Sequence, residues 1–362
     1  MKLQKQLNIV ADRNIPFLET PLSLLGNVTY LPGDAITSEV MRDTDILLTR
    51  TRTKCNAAML DGSRCSFVGT ATIGTDHINL DYCASRGITV ANAPGCNAPA
   101  VAQYVLAAML TRLNPGETLA GKTLGIIGAG NVGSILYRWA KGIGMNVIVN
   151  DPPRQESGDT SIVYSSLKDI AEQSDFISIH TPLTLEGRYA THHLLNDDFL
   201  GSTIRHPMVI NAARGPVADT SALKRALKAG TISALAIDCW ENEPNIDTEL
   251  LSMATVATPH IAGYSKEGKI RATSMVLDAL AAHLSANVDT FGIQITADEL
   301  KASLPHVSPV PETISVDEIA YDIAADTNAL KSIPLPNLAT SFESLRNNYN
   351  LRPEPTSADR ES

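Results

Sequence analysis

Thr123-Leu124-Gly125-Ile126-Ile127-Gly128-Ala129-Gly130-Asn131-Val132-Gly133 is the stretch that decides the fold. Thr123 to Ile127 reads as a short buried strand, G-A-G-N-V-G follows at once, and Val132, Leu136, Trp139 and Ile143 then mark one side of a helix. In a strand, turn and helix of this kind Gly128 permits the tight turn and Gly130 lets the backbone approach a pyrophosphate. Gly133 allows close helix packing, and the helix N-terminus favours the phosphate charge. Asn131 and Val132, inside the motif, count with the glycines as cofactor-binding positions. The next strand, 147–150, runs into Asp151, roughly 20 residues on, where a carboxylate accepts hydrogen bonds from ribose hydroxyls and repels a 2′-phosphate. NAD rather than NADP is therefore expected. Arg154, after Pro152 and Pro153, reads as a solvated loop charge.

Outward from this motif, short β-rich runs alternate with helical patterns, as in parallel sheets wrapped by helices. Six strands are expected in the dinucleotide-binding half, at 123–127, 147–150, 176–179, 208–211, 234–237 and 256–257, and five before it, at 7–10, 28–31, 46–49, 67–69 and 88–91. Helices at 100–113 and 268–285 carry the chain into that half and back. The fold class is α/β with two Rossmann-like domains, doubly wound parallel sheets, and a small C-terminal α+β segment. Residues 1–99 with 264–287 form a discontinuous substrate domain and 100–263 the NAD-binding domain. Residues 288–350, with a helix at 316–330, form the appended segment, and 351–362 a frayed tail.

The chain of 362 residues is 44% apolar and 19% charged, which suits a globular protein of about two domains with a cleft between them. No run of about 18 apolar residues could span a bilayer, and the amino terminus shows no export signal. A net charge of −10 opposes nucleic-acid binding, which rests on clustered Lys and Arg, so an anionic ligand needs local donors. Cys55, Cys65, Cys83, Cys96 and Cys239 are scattered without C-x-x-C spacing, so neither disulfides nor a metal site is expected and a reducing cytoplasm fits. The pair His192-His193 has no matching ligand spacing, and the histidines other than His260 are assigned structural or solvent roles.

Three segments follow successive strands: Asn211 to Gly215, Asp238 to Pro244 and Thr258 to Tyr264. Oxidising a 2-hydroxy acid requires a base for the hydroxyl proton, a cation for the carboxylate and a hydride acceptor. His260 titrates near neutrality and can pass the proton both ways. Glu243 orients it and stabilises its charged form, and Arg214 offers a planar fork for carboxylate and carbonyl oxygens. Singly, these residues would be a satisfied imidazole, a loop carboxylate and a surface cation. Beside the glycine motif, at consecutive strand ends, they read as the catalytic three.

These residues resemble the D-isomer-specific 2-hydroxyacid dehydrogenases over nearly the whole chain. Ala11-Asp12-Arg13-Asn14-Ile15-Pro16, Val68 to His77, Ala93-Pro94-Gly95-Cys96-Asn97-Ala98, Asp151-Pro152-Pro153-Arg154 and Pro259-His260-Ile261-Ala262-Gly263-Tyr264 are similar to the branch that oxidises 4-phosphoerythronate with NAD on the route to vitamin B6. The resemblance implies catalytic Arg214, Glu243 and His260. It implies substrate contacts from Thr51 and Thr72, with Tyr264 at the distal end, and cofactor contacts from Asp151, Thr181, Asp238 and Gly263.

Arg50, Arg52 and Lys54 alternate at the end of a strand and would share one face. They read equally as a phosphate-binding row, with Arg50 and Arg52 touching substrate, and as ordinary surface cations. Phe342 to Tyr349 resembles the family's dimerisation segment and implies a homodimer, and Gln103 stands where this branch often has Glu. Oxidation of 3-phosphoglycerate by the same chemistry is the nearest alternative. A protein that senses NAD without turnover is the alternative of another class.

Overall fold

The structure, a computed structural model, describes residues 6–356. Met1 to Lys5, which open the region read for a leader, and residues 357–362 of the expected tail lie outside the described residues. The chain forms two compact units: one runs to Asn97 and takes in Lys266–Val307, and the other holds Ala98–Ser265 and resumes at Ser308. No described helix is long and apolar enough to cross a membrane.

In the first unit β1 (Leu7–Asp12), β2 (Gly26–Leu31), β3 (Ile46–Thr49), β4 (Phe67–Thr70) and β5 (Thr89–Ala91) form a parallel sheet in the order β2-β1-β3-β4-β5. Because side chains alternate across a strand, Leu7, Ile9 and Ala11 face a core shared with Val276, Leu277 and Leu280 of helix Lys266–Ala286. Val10, Leu47 and Val68 face the opposite layer with Met41, Leu60 and Cys83. Gly69 lets that helix lie close, since a Cβ there would meet Val276 Cγ1 at 2.7 Å.

The second unit holds β6 (Thr123–Ile127), β7 (Asn146–Asn150), β8 (Phe176–Ile179), β9 (Met208–Asn211), β10 (Ala234–Ile237) and β11 (Val256–Ala257), in the parallel order β11-β10-β9-β8-β6-β7. Beyond β7 the sheet is continued by one parallel bridge from Val149 to Tyr164. The six expected strands are therefore a sheet whose next position is reduced to a bridge. β7 and β8 flank β6 on opposite sides, which makes the carboxyl end of β6 the switch point where such sheets bind ligands.

The C-terminal part departs from expectation. Residues 288–350 are not one appended segment, because the chain through Val307 belongs to the first unit and the rest to the second. Nor is it α+β: no named strand follows β11, and the residues form short helices. The single helix expected over 316–330 is broken into a 3-10 turn at Val316–Glu318, closed by a Ser315 and Glu318 capping box, and helix Ile323–Lys331, capped by Asp322. Each capping side chain satisfies a free backbone N–H and so starts a new element. The segment packs into the second unit's cores through Ile314, Ile319 and Ile323 and through Leu330, Leu338 and Phe342. Trp139, fully buried, donates from Nε1 to the Pro311 carbonyl at 2.8 Å.

The tail reading is also corrected. Arg352 is 7% exposed and Glu354 6%, because every guanidinium N–H of Arg352 finds an acceptor. Nε donates to Gln103 Oε1 at 3.1 Å, Nη1 to the Ile261 and Tyr264 carbonyls at 3.1 Å, and Nη2 to Ala100 at 3.0 Å and to Ala262. Gln103 also donates to the Pro353 carbonyl at 3.2 Å, a bond a Glu could not make.

Candidate active site

The three glycines of the β6 turn differ in surroundings. Gly128 adopts φ +93°, and a Cβ there would lie 2.8 Å from the His180 backbone. At Gly133 a Cβ would lie 2.1 Å from the Gly128 carbonyl oxygen, so only glycine lets helix Asn131–Gly142 start so close to the turn. Gly130 has nothing within 4 Å of a Cβ and leaves open space in front of the helix N-terminus, beside the exposed Asn131 and half-buried Val132.

Asp151 caps helix Pro152–Glu156: Oδ1 accepts from the Arg154 N–H at 3.0 Å, and Oδ2 accepts from the Ala129 N–H at 2.7 Å. Proline at the first helical position is compatible with a helix start. Pro152 and Pro153 therefore begin a helix instead of turning the chain away, and Arg154 is not a solvated loop charge. Its guanidinium folds back onto the glycine turn, donating to the Ala129 carbonyl and to Ser134 Oγ, and pairs with Asp159. Tyr164 and Ser161 hold the Asp159 carboxyl well below the usual carboxylate range, with Arg154 adding to the effect. Thr181 Oγ1, just past β8, is buried with no hydrogen-bond partner, a cost unless a ligand supplies one. The open space at Gly130, the helix N-terminus, the Asp151 carboxylate and this hydroxyl fit a dinucleotide.

Asp238, after β10, is 1% exposed and carries the loop that follows β11. Its carbonyl accepts from the His260 N–H at 2.9 Å, its Oδ1 from Ile261 at 2.8 Å and from Thr258 Oγ1 at 2.7 Å, and its Oδ2 from Ala262 at 3.0 Å. Three successive N–H groups thus converge on one residue and hold His260 at φ +57°, a left-handed conformation that costs a non-glycine residue about 1–2 kcal/mol. From the other side, the Ile261, Ala262 and Tyr264 carbonyls are gripped by Arg352. Gly263, half-buried, lies between two of them.

The His260 ring is fixed by Glu243, whose Oε2 lies 2.8 Å and Oε1 3.1 Å from Nδ1, and Glu243 Oε1 also accepts from the Trp240 N–H at 2.8 Å. Burial works against the charge on His260, yet Cys239 and Glu243 beside it lift the imidazole well above its ordinary range. Burial pushes the Cys239 thiol up and keeps it neutral, so the carboxylate is the physical cause. Glu243 is itself lowered, since the His260 bond and charge outweigh its burial. Cys239, Glu243 and His260 bring three metal-capable atoms within 4.8 Å of one another, but the thiol is protonated and Nδ1 is already occupied by Glu243.

Arg214 stands at the end of the β9 loop, half-buried, with Nη1 donating to the Ala213 carbonyl at 2.8 Å and no ion pair among the described residues. Gly215 brings that loop against the next one, because a Cβ there would lie 1.9 Å from the Trp240 carbonyl oxygen. The second unit therefore assembles Arg214, Glu243 and His260 from loops after β9, β10 and β11.

The first unit presents its expected residues at strand ends. Thr72 Oγ1 lies 2.7 Å from Thr70 Oγ1 and donates to the Gly74 carbonyl at 3.1 Å, with His77 Nε2 3.2 Å from Thr70 Oγ1. β3 stops at Thr49, and Arg50 to Thr53 turn, with the Thr53 N–H donating to the Arg50 carbonyl at 3.3 Å. The strand alternation expected for Arg50, Arg52 and Lys54 does not apply there. Thr51, Arg52 and Lys54 are exposed and Arg50 half-buried.

Two arginines escaped the sequence reading. Arg352 looked like tail. Arg346 lay in the stretch taken for dimerisation, and its Nε donates to the Tyr264 hydroxyl at 3.2 Å. Its helical spacing from Phe342 was the available signal. His193 also gains a partner the sequence spacing did not show, with Nε2 2.8 Å from Glu241 Oε1.

The sequence model described as "D-isomer specific 2-hydroxyacid dehydrogenase, NAD binding domain" matches residues 100–262. An erythronate-4-phosphate dehydrogenase of Bacteroides fragilis is 41% identical over 350 residues, spanning 96% of this chain and 97% of that one. One from Chromohalobacter salexigens is 38% identical over 353 residues, spanning 96% and 92%. Among solved structures, D-lactate dehydrogenase from Aquifex aeolicus in complex with NAD and lactic acid is similar with a TM-score of 0.63 and 27% identity, covering 78% of this chain and 96% of that one. NAD-bound 3-phosphoglycerate dehydrogenase of Entamoeba histolytica shares the fold at a TM-score of 0.64 and 24% identity, covering 80% and 99%. The chain belongs to the D-isomer-specific 2-hydroxyacid dehydrogenase family, on the branch of the erythronate-4-phosphate dehydrogenases, and is an NAD-dependent oxidoreductase.

Proposed function

We propose that the chain oxidises 4-phospho-D-erythronate to (R)-3-hydroxy-2-oxo-4-phosphooxybutanoate with NAD, on the route to pyridoxal 5′-phosphate. The observation that carries this reading is the His260–Glu243 pair, 2.8 Å apart, in a chain 41% identical to a relative of that name along 96% of its length. Bound NAD supplies the hydride acceptor.

The side chains divide the remaining work. Nδ1 of His260 is held by Glu243, so Nε2 is left to take the C2 hydroxyl proton, and the carboxylate stabilises the imidazolium that results. Arg214, free of ion pairs among the described residues, offers its fork to the substrate carboxylate and to the oxygen that becomes the carbonyl. Gly128, Gly130, Asn131, Val132 and Gly133 receive the pyrophosphate and Asp151 the ribose. Thr181 gains a partner for its hydroxyl, and Gly263 meets the cofactor. Any contact from Asp238 to the cofactor adds to its support of the His260 loop. Thr51, Thr72, Arg50 and Arg52 are the first unit's substrate contacts, and Tyr264 takes the distal end.

Residues 288–350 contribute to a homodimer, a reading supported by the family resemblance of Phe342 to Tyr349 and by the exposure of Leu335. Sedimentation at two concentrations checks it. Five free, buried thiols suit the cytoplasm. To test the reaction, 4-phosphoerythronate deuterated at C2 is incubated with the protein and NAD. Deuterium in the nicotinamide ring and a 2-oxo product are expected, and label retained at C2 overturns the proposal.

A further inference from the structure

The proposed substrate has two anionic ends, a carboxylate and a phosphate. Arg214 is matched to the first, and the second unit holds one more cation without an assigned task. Arg346 lies on helix Leu338–Asn347, four residues after Phe342 and eight after Leu338, both of which are buried. That spacing puts it on the core-facing stripe, where a cation is costly unless its donors are used.

Among the described residues the Arg346 guanidinium makes one hydrogen bond, to the Tyr264 hydroxyl, and no ion pair. Both terminal nitrogens remain free. Arg352, six residues later, shows the contrasting case, with every donor satisfied by protein acceptors. Glu243 lies close enough to act electrostatically on Arg346, but its oxygens are already engaged by His260 and the Trp240 N–H. Burial works against the Arg346 charge, and Tyr264 and Glu243 together outweigh it, so the side chain stays cationic. Packing holds the guanidinium in place: Leu338 and Phe342 anchor its helix, and the chain beyond is pinned by Arg352 and by the 2.9 Å bond from the Tyr349 hydroxyl to Asp326.

We propose that Arg346 and the Tyr264 hydroxyl together bind the phosphate of the substrate, a step that rests on the 4-phosphoerythronate reading. A guanidinium with both terminal nitrogens available forms a two-pronged contact to a phosphate oxygen pair, and the neighbouring hydroxyl donates to a third oxygen. The distal phosphate is thereby fixed while His260 addresses C2.

The test uses the full chain with NAD, inorganic phosphate as probe, and the variants Arg346→Ala and Arg346→Lys. Titration calorimetry should show phosphate affinity falling at least about tenfold in Arg346→Ala and less in Arg346→Lys, which keeps charge without the fork. KM for 4-phosphoerythronate should rise by a similar factor with kcat little changed, and kcat/KM for unphosphorylated erythronate should stay within about twofold. Absence of phosphate binding by the wild type, equal phosphate affinity in wild type and both variants, or equal losses on both acids would overturn the proposal. Phosphate binding that depends on Arg346 in a protein inactive on 4-phosphoerythronate would retain the oxyanion site and sink the substrate reading.

Discussion

The loop bearing His260 and the turn bearing Arg50 to Lys54 both leave the carboxyl end of a parallel strand, yet they are held differently. Around His260, three consecutive N–H groups end on Asp238, and the carbonyls of Ile261, Ala262 and Tyr264 end on Arg352. In the Arg50 turn, Thr53 is tied at 2.9 Å to the Gly33 carbonyl, while Thr51, Arg52 and Lys54 stand exposed. Proton transfer tolerates little displacement of the base, so its loop is braced on both sides. Long cations that meet an oxyanion adjust through their own rotamers and need less support.

If that contrast is right, substitutions in the braced loop act on turnover and stability, and those in the open turn act on affinity. His260→Ala should lower kcat by about 10²- to 10⁴-fold with NADH affinity, read by fluorescence titration, unchanged. Retention of more than a tenth of the activity would remove His260 from the chemistry. Arg352→Leu leaves four carbonyls and Gln103 without their donor and should destabilise by on the order of 3 kcal/mol, seen as a lower urea midpoint. An unchanged midpoint would show that the carbonyls find water instead.

Glu243→Gln should move the pH dependence. Oxidation needs neutral His260, so with a raised pKa its rate climbs as pH rises through that value, while reduction of the 2-oxo acid, which needs the imidazolium, falls. Without the Glu243 charge, burial dominates and both transitions should shift by about 1–3 pH units towards acid. A profile that keeps its midpoint would mean that Glu243 orients the ring without holding its proton. The smallest effect is expected at Arg50→Ala, a rise in KM for the phosphorylated acid of about threefold with kcat preserved. A loss of kcat there would break the division between the two regions.

Much of this was legible in the chain because the decisive signals are local. Thr123–Ile127, Phe176–Ile179, Met208–Asn211 and Ala234–Ile237 are short apolar runs bounded by turn residues, and they are strands with those limits. His260 and Glu243 are 17 residues apart, but strand order alone brings their loops to the same edge. Arg352 reaches Gln103 across 249 residues, and nothing in a stretch of Arg, Pro and Glu marks it for burial. Arg154 was misread because consecutive prolines were taken to turn the chain, whereas beside the Asp151 cap they start a helix. Arg50 and Arg52 were placed on a strand that had already ended.

The central claim is best tested by following NADH absorbance with purified protein, supplied with 4-phosphoerythronate and 3-phosphoglycerate side by side and with a 2-oxo acid acceptor in parallel in case the cofactor is retained. The account predicts turnover of 4-phosphoerythronate with kcat/KM at least about 100-fold above 3-phosphoglycerate, a difference of roughly 2.7 kcal/mol in transition-state binding. Equal turnover, or activity on 3-phosphoglycerate alone, would contradict it.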